Sequence, residues 1–307
     1  MSPQGWLLAA ALALPGAAVA QRPALPPAAG QNPSPMQETT RAHERLTERA
    51  LLGTARSFPG LAGRSVAVRV PVNAPAASLL DVVIHFHGAA WLPEQAVAAL
   101  DDGAVSAVVN LGAGSGAYHR AFAEPAAFDS LLAAIAREIE SVTGIPKRIG
   151  RIALVGFSAG HGAIRAILLE PRHFARVNAV LLLDGMHTSY VPEGRVLADS
   201  GALDTTHLVA FAEFARAAVR GEKRFMVTHS EIFPGTFAST TETADWLLAA
   251  LGLRRAPVLQ WGPRGMQQLS AVRAGGFELL GFAGNTAPDH IDHLHAMPEL
   301  LARLRAR

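Results

Sequence analysis

From residue 65 onward, the chain alternates short apolar runs with longer amphipathic segments. The apolar runs have the length and the β-branched content of strands. They cover residues 65–72, 81–87, 104–111, 151–156, 178–183, 224–228 and 277–282. Between them, apolar residues at helical spacing predict helices over residues 125–142, 159–170, 205–220 and 240–251.

This alternation predicts the fold class. Strands that alternate with helices need crossover connections, which produce a mostly parallel central sheet with helices on both faces. The almost continuous apolar character of the later strands agrees with burial on both faces. We therefore predict an α/β fold. Before its first strand, Leu46, Ala50 and Leu51 lie at helical spacing among charged residues, which predicts a surface helix within residues 37–56.

The N-terminal segment has the features of a targeting signal. Residues 6–20 form an Ala- and Leu-rich apolar run that is short for a membrane span and ends in small residues, as at a signal-peptidase site after Ala20. An uncleaved N-terminal anchor is the alternative. We expect a signal peptide over residues 1–20, a Pro- and Ala-rich linker over 21–36 and the α/β domain over 37–307. The protein would then be secreted or periplasmic, without stable membrane insertion after cleavage.

Composition narrows the possible functions. The chain has 307 residues, half of them hydrophobic, which is enough for one large domain with its own core. Its net charge is only +2 and no block of like charges stands out, so no nucleic-acid-binding surface is indicated. It contains no cysteine, which excludes a thiolate nucleophile and a thiolate-bound metal.

One motif suggests a nucleophile. Gly156-Phe157-Ser158-Ala159-Gly160 is a G-x-S-x-G sequence between a predicted strand and a predicted helix. This context is the one that a nucleophile elbow requires, a cramped turn that holds a serine at the edge of a sheet. Glycines on both sides let neighbouring backbone approach, and the helix N-terminus favours developing negative charge. We predict Ser158 as the nucleophile; the alternative is a tight turn in which it only caps the helix.

A serine hydroxyl needs a general base, and histidine is the usual one. Three histidines follow the last predicted strand. His290 lies nearest to the end of that strand, in a loop introduced by Pro288, so it is the preferred base. His293, one helical turn further on, is the alternative base, and we expect His295 to point elsewhere.

The imidazole in turn needs a carboxylate that fixes its tautomer. Asp184 ends a run of leucines and stands at the same predicted sheet edge as Ser158. An unpaired buried charge at that position would be costly, so a partner is expected. Glu231 follows the next strand and is the alternative acid. A strand-end Asp that only holds a loop is the structural alternative.

Two backbone N–H groups are candidates for binding an oxyanion. His87-Gly88 ends the second predicted strand, and the glycine lets backbone N–H groups turn toward a developing negative charge. We predict that the N–H groups of Ala89 and Ala159 form the oxyanion hole. The alternative is that Gly88 only makes the turn.

Taken together, these features resemble the α/β-hydrolase superfamily over roughly residue 64 to the C-terminus. The resemblance rests on His87-Gly88, Gly156-Phe-Ser158-Ala-Gly160, Asp184 at a strand end, and His290 followed by Pro298-Glu299. It implies an α/β-hydrolase fold and an acyl-enzyme route in which Ser158 attacks and water releases the product, without a cofactor or a metal. Two features depart from the family pattern: the acid follows the strand just after the nucleophile's helix, which is a minority arrangement, and the three-glycine run of many lipases is absent.

The function predicted from these parts is hydrolysis of a small carboxylic ester or other acyl substrate by a Ser-His-Asp triad. Three alternatives stay open. The first is an amidase or peptidase of the same fold. The second is a metal-dependent hydrolase that uses His85, His87 and the C-terminal histidine cluster. The third is a non-catalytic binding protein with the α/β-hydrolase fold.

Overall fold

A ten-stranded sheet forms the centre of the computed structural model, which describes residues 42–74 and 78–306. Its strands are β1 (Thr54–Pro59), β2 (Ser65–Val70), β3 (Leu79–Phe86), β4 (Val105–Val109), β5 (Arg148–Phe157), β6 (Ala179–Leu183), β9 (Arg224–His229), β10 (Ala256–Trp261), β11 (Gln267–Ala274) and β12 (Phe277–Phe282). Two further strands, β7 (Tyr190–Val191) and β8 (Ala202–Leu203), pair with each other separately.

The strand order in the large sheet is β1-β2-β4-β3-β5-β6-β9-β12-β11-β10. All neighbouring pairs from β4 to β12 are parallel. At both ends the pairing is antiparallel. Because the central strands run in one direction, their carboxyl ends meet at one edge of the sheet, and ligands of open α/β sheets bind at that edge.

Nine α-helices are described within these residue ranges: α1 (Trp91–Ala98), α2 (Ser115–Ala121), α3 (Pro125–Thr143), α4 (His161–Leu169), α5 (Pro171–Arg176), α6 (Val209–Val219), α7 (Thr240–Leu251), α8 (Ala287–His295) and α9 (Met297–Arg305). The predicted α7 has the observed bounds, with Ser239 as its N-cap and Gly252 in a left-handed conformation at its end. None of the described helices combines the length and apolarity that a bilayer span requires.

Two hydrophobic cores cover the sheet, one on each face. In β5, Ile152 and Leu154 join a cluster with apolar residues of α3, α4 and α6. Their neighbours Ala153 and Val155 point the other way and join a cluster with α1 and α9. Because side chains alternate along a strand, both faces of the sheet must be buried, which explains the uninterrupted apolar runs. The predicted α/β fold with helices on both faces is confirmed.

The predicted helix within residues 37–56 is wrong. Residues 42–51 have no regular secondary structure, and Thr54–Pro59 is the edge strand β1. Instead of helical hydrogen bonds, backbone N–H groups of this segment donate to side chains of the domain. The N–H of Leu46 donates to His295 Nδ1 at 2.9 Å, and the N–H of Arg49 donates to Gln95 Oε1 at 2.6 Å. The expected signal peptide and linker, residues 1–36, lie outside the described residues.

Candidate active site

Ser158 lies at the point where β5 ends, in a strained turn. Its φ is +46°, in the left-handed region that few residues other than glycine adopt, and it begins the 3₁₀ turn Ser158–Gly160 that leads into α4. Two glycines let other backbone segments close around this turn. A Cβ at Gly160 would lie 2.2 Å from the carbonyl oxygen of Phe86, and one at Gly185 would lie 2.8 Å from the backbone N and O of Ser158. The turn is therefore fixed by close backbone contact with the ends of β3 and β6.

Asp184 directly follows β6, the strand beside β5, and its side chain is buried. Four donors converge on its carboxylate. Oδ1 accepts from the backbone N–H of Ser230 at 2.9 Å and from the Thr240 hydroxyl at 2.5 Å. Oδ2 accepts from the Ser230 hydroxyl and from His290 Nδ1, both at 2.7 Å. The buried carboxylate thus has several hydrogen-bond donors, where the sequence led us to expect a partner.

The electrostatics of this cluster keep Asp184 ionised. Burial alone would raise the pKa of the Asp184 carboxyl, but the interactions with His293 and His290 and the hydrogen bond from Thr240 outweigh burial and hold the pKa well below its ordinary value. An ionised carboxylate is only an acceptor, so Nδ1 of His290 must carry the proton of their shared hydrogen bond. In a neutral imidazole, Nε2 is then the free acceptor.

His290 contacts both this carboxylate and the residue before Ser158. Its ring centroid lies 4.6 Å from that of Phe157, the residue immediately before Ser158. The segment predicted as a loop around His290 is a helix, α8, whose N-terminus is a capping box formed by Thr286 and Asp289. Pro288 lies in the first turn of α8, where its missing N–H removes no helical hydrogen bond. The proline that suggested a loop therefore begins a helix.

The sheet order and the serine in a positive-φ turn after the central strand β5 decide the fold family. The chain has the α/β-hydrolase fold. In this fold the nucleophile elbow lies at the carboxyl edge of the parallel strands, and Ser158 and Asp184 both lie at that edge.

No protein-family model matches the sequence, and no curated protein matches it either. Solved structures with a similar fold include an uncharacterised protein from Capnocytophaga ochracea, with 10% identity and a TM-score of 0.45. The similarity covers 81% of this chain and 62% of that one, so this chain spans less than two thirds of its length.

Two esterases are similar to a comparable degree. One is a serine-to-alanine mutant of the feruloyl esterase module from Clostridium thermocellum, complexed with sinapinate, with 12% identity and a TM-score of 0.46 over 84% of this chain and 95% of that one. The other is an esterase from Pyrobaculum calidifontis, with 14% identity and a TM-score of 0.46 over 84% and 87%. Similarity at this level identifies no activity, so the function must be inferred from the site of this hydrolase fold itself.

The other two C-terminal histidines have different surroundings. His293 is fully buried, its Nδ1 lies 2.8 Å from the Thr228 hydroxyl, and burial lowers its pKa. His295 accepts the N–H of Leu46 on Nδ1, away from the serine turn. Of the three, His290 is the one that contacts both Asp184 and the residue before Ser158.

The remaining predicted site residues are found at the same sheet edge. Glu231 is exposed in the loop after β9, whereas Asp184 is buried and hydrogen-bonded. Ala89 is exposed after the end of β3, next to Gly88 with its φ of +124°, and Ala159 is half-buried in the 3₁₀ turn. The roles of Glu231 as alternative acid and of Ala89 and Ala159 as oxyanion-binding residues stay predictions.

Sequence reasoning missed the donors that surround Asp184. Ser230 follows β9 at the same edge, and Thr240 is the first residue of α7. The rule that parallel strands end at one edge could have indicated Ser230, since it follows a predicted strand directly. Thr240 could not be found in this way, because its contact with Asp184 spans 56 positions.

The histidines of the predicted metal-site alternative are engaged elsewhere. His85 donates from Nε2 to the carbonyl of His87 at 2.7 Å. His290 and His293 bond Asp184 and Thr228. In the part of the chain that the structure describes, the side chains close enough to share a metal ion are His43, Asp289 and Asp292. His43 Nδ1 lies 2.7 Å from Asp292 Oδ2, a contact that ties the segment before β1 to α8.

A cavity of about 540 Å³ opens beside Ser158. It lies between the N-terminal end of α2, the N-terminal half of α4 and the loop after β6, and its walls include Ser115, His161, His187 and Phe237. Cavities of this size hold small molecules. The candidate nucleophile therefore faces a space in which a small substrate fits.

Proposed function

We propose that this protein is a serine hydrolase that cleaves a small carboxylic ester, with Ser158 as nucleophile, His290 as general base and Asp184 as its acid partner. One observation carries the proposal. The buried carboxylate of Asp184 receives Nδ1–H of an imidazole whose ring packs against Phe157, directly before a serine in the elbow conformation. Acyl transfer by a serine uses an acid, a base and a nucleophile in this order, and these contacts support the proposal.

The proposed reaction has two halves. His290 Nε2 takes the proton of the Ser158 hydroxyl while its oxygen attacks the ester carbonyl carbon. The carbonyl oxygen becomes an oxyanion, which the N–H groups of Ala89 and Ala159 would stabilise. The tetrahedral intermediate collapses, the bond to the alcohol oxygen breaks, and the alcohol leaves with the proton from His290. Water then attacks the acyl-enzyme with His290 as base, and the acid is released.

Asp184 has a positioning and electrostatic role in this scheme. Its hydrogen bond holds His290 in the tautomer that has a free lone pair on Nε2. Its negative charge stabilises the imidazolium that forms when His290 accepts the proton. Because the pKa of Asp184 is held low, the carboxylate keeps this charge at neutral pH.

An active-site probe tests the nucleophile directly. We expect a fluorophosphonate to label the wild-type protein and not the Ser158→Ala variant, with ester turnover lowered by about 10³-fold or more. Ser141→Ala is a matched control, since its exposed hydroxyl on α3 only bonds the carbonyl of Glu138. The control should be labelled and should hydrolyse 4-nitrophenyl butyrate like the wild type. Labelling that persists in Ser158→Ala, or a folded wild type without labelling or turnover, would contradict the proposal.

We also propose that the protein is exported and cleaved after Ala20, on the strength of the apolar run that ends in Ala18-Val19-Ala20. When the full chain is expressed in a bacterial host, the intact mass of the exported protein should correspond to an N-terminus at Gln21. Ala20→Leu should block cleavage, because the signal peptidase accepts only a small residue there. A wild-type chain that stays in the cytoplasm with residues 1–20 attached would contradict export.

A further inference from the structure

One charged side chain in the cavity beside Ser158 has no part in the proposed mechanism. Arg165 lies on α4, about two turns after Ser158, and it lines the cavity although only 8% of its surface is exposed. Its buried Nε has no hydrogen-bond partner among the described residues. A guanidinium stays protonated in proteins, so a full positive charge stands at the wall of the cavity.

Among the described residues, no side chain neutralises this charge by contact. Burial lowers the pKa of Arg165 and the charge of Asp204 raises it, but within residues 42–74 and 78–306 no carboxylate forms an ion pair with the guanidinium. The Asp204 carboxylate bonds the backbone N–H and the hydroxyl of Thr206 instead. A nine-tenths-buried cation without a contacting anion is costly, which favours a site that is completed by a negatively charged ligand.

The rest of the cavity wall is uncharged. Of the described residues that line it, none is an aspartate or a glutamate. Three histidines line it among the described residues, and all are neutral near pH 7, because burial lowers the pKa of His161 to about 3 and also lowers those of His187 and His207. His161 and His187 donate Nδ1–H to backbone carbonyls, of Ser158 at 2.9 Å and of Ala238 at 3.1 Å. Among the described residues that line the cavity, Arg165 therefore carries the one formal charge.

We propose that the substrate of this hydrolase is an ester that carries a carboxylate, which Arg165 binds while Ser158 attacks the ester carbonyl. A single guanidinium matches the charge and the planar, bidentate geometry of one carboxylate. A dianionic phosphate would leave a second negative charge without a partner. This inference rests on the proposed function, because it assigns a substrate class to the same site.

Kinetics with matched pairs of esters test the inference. One pair is the mono-4-nitrophenyl ester of suberic acid and the same ester with its remote carboxyl methylated. The other pair, 4-butyryloxybenzoate and its methyl ester, places the carboxylate on the alcohol side. We expect the wild type to prefer the charged member of at least one pair by about 10- to 100-fold in kcat/KM, the range of a hydrogen-bonded ion pair.

Variants of Arg165 should remove this preference selectively. In Arg165→Gln, kcat/KM for the charged ester should fall to the level of the neutral ester, whose turnover should change by less than about threefold. Arg165→Lys should keep part of the preference, because it keeps the charge but loses the planar fork. Arg216→Gln is a matched control, since Arg216 lies on the surface of α6 and pairs with Glu213 at 2.6 Å. Thermal unfolding checks that each variant is folded.

Binding to an inactive protein separates this inference from the proposed function. Calorimetric titration of Ser158→Ala with monomethyl suberate and with monomethyl adipate should give saturable binding of at least one, which the added Arg165→Gln change abolishes. Neutral-ester turnover without any preference for a charged ester, and without such binding, would overturn the carboxylate site and leave the hydrolase intact. A wild type that turns over no ester and takes no fluorophosphonate, but still binds the monoester through Arg165, would overturn the proposed function alone.

Discussion

Asp184 combines two features that are individually unusual for a residue at its position. Its φ is +42°, and its carboxylate is buried at the end of an apolar strand. Both cost free energy, and the four converging donors offset part of that cost. The sequence favoured Asp184, which ends a run of leucines, but left Glu231 as an alternative, because both follow strands that end at one edge. What distinguishes them is the neighbourhood of Asp184, with Ser230, Thr240 and His290 contributed by three distant parts of the chain.

The acid can be tested with an isosteric change. In Asp184→Asn, the amide presents an N–H group where the carboxylate accepted hydrogen bonds, so His290 is expected to move its proton to Nε2. An imidazole in that tautomer cannot accept the serine proton, and we expect kcat for a 4-nitrophenyl ester to fall by about 10³- to 10⁴-fold with a small change in KM. Glu231→Gln should stay within about twofold of the wild type. The reverse ranking, with Glu231→Gln the inactive variant, would transfer the role to Glu231.

At the scale of secondary-structure elements, the predicted strands are those buried on both faces, together with β2, in which buried residues alternate with more exposed ones. All five residues of β6 are buried, and their apolar run is visible without any knowledge of the fold. The hairpin strand β10 was missed because most of its residues are exposed and no apolar run marks it. The helix predicted within residues 37–56 failed for a different reason. Its segment is held by Gln95 and His295, and such distant contacts leave no local pattern.

Of the helices, α8 matters most for the site, because it contains His290 and His293. Proline was interpreted as the start of a loop, although Thr286 with Asp289 three positions later forms a capping box around it. As a helix, this segment places His290 and His293 on one face, since residues three apart lie side by side. Both imidazoles therefore interact with Asp184, which explains the lowered pKa of that carboxyl. The identity of the nearer histidine was predictable from its place in the chain, whereas the element that carries it was not.

At the scale of the whole molecule, the two-sided cores bury an unusual set of histidines along with the apolar side chains. His85, His161, His229 and His293 are each at most 5% exposed. Burial lowers the pKa of His85 to about 4, of His161 to about 3 and of His229 to about 4, and it lowers that of His293 as well. His85, His161 and His229 are therefore neutral in the folded protein at pH 5, while the same groups in the unfolded chain have the ordinary pKa of 6.5.

This difference predicts a loss of stability in mild acid. Below pH 6.5 the unfolded chain binds protons that the folded protein does not, so the free energy of unfolding decreases as the pH falls toward about 4. Asp184 contributes little above about pH 5, because a carboxyl with a lowered pKa changes stability only as the pH approaches and passes below its ordinary value of 3.8. The burial of His85, of His161 and of His229 should each remove about 2 kcal/mol of stability between pH 7.5 and 5.

The variant His85→Gln measures how much one buried histidine contributes to the pH dependence of the free energy of unfolding. Its amide can still donate to the carbonyl of His87, the hydrogen bond that Nε2 of His85 makes, but it does not titrate. Urea unfolding at a series of pH values should show a weaker dependence in the variant, by about one proton per molecule between pH 4.5 and 6. The m-value should stay constant, which would show that the substitution changes the free energy of unfolding and not the surface exposed on unfolding. Equal pH dependence in the variant and the wild type would mean that His85 is already protonated in the folded protein, and that burial does not hold its pKa down.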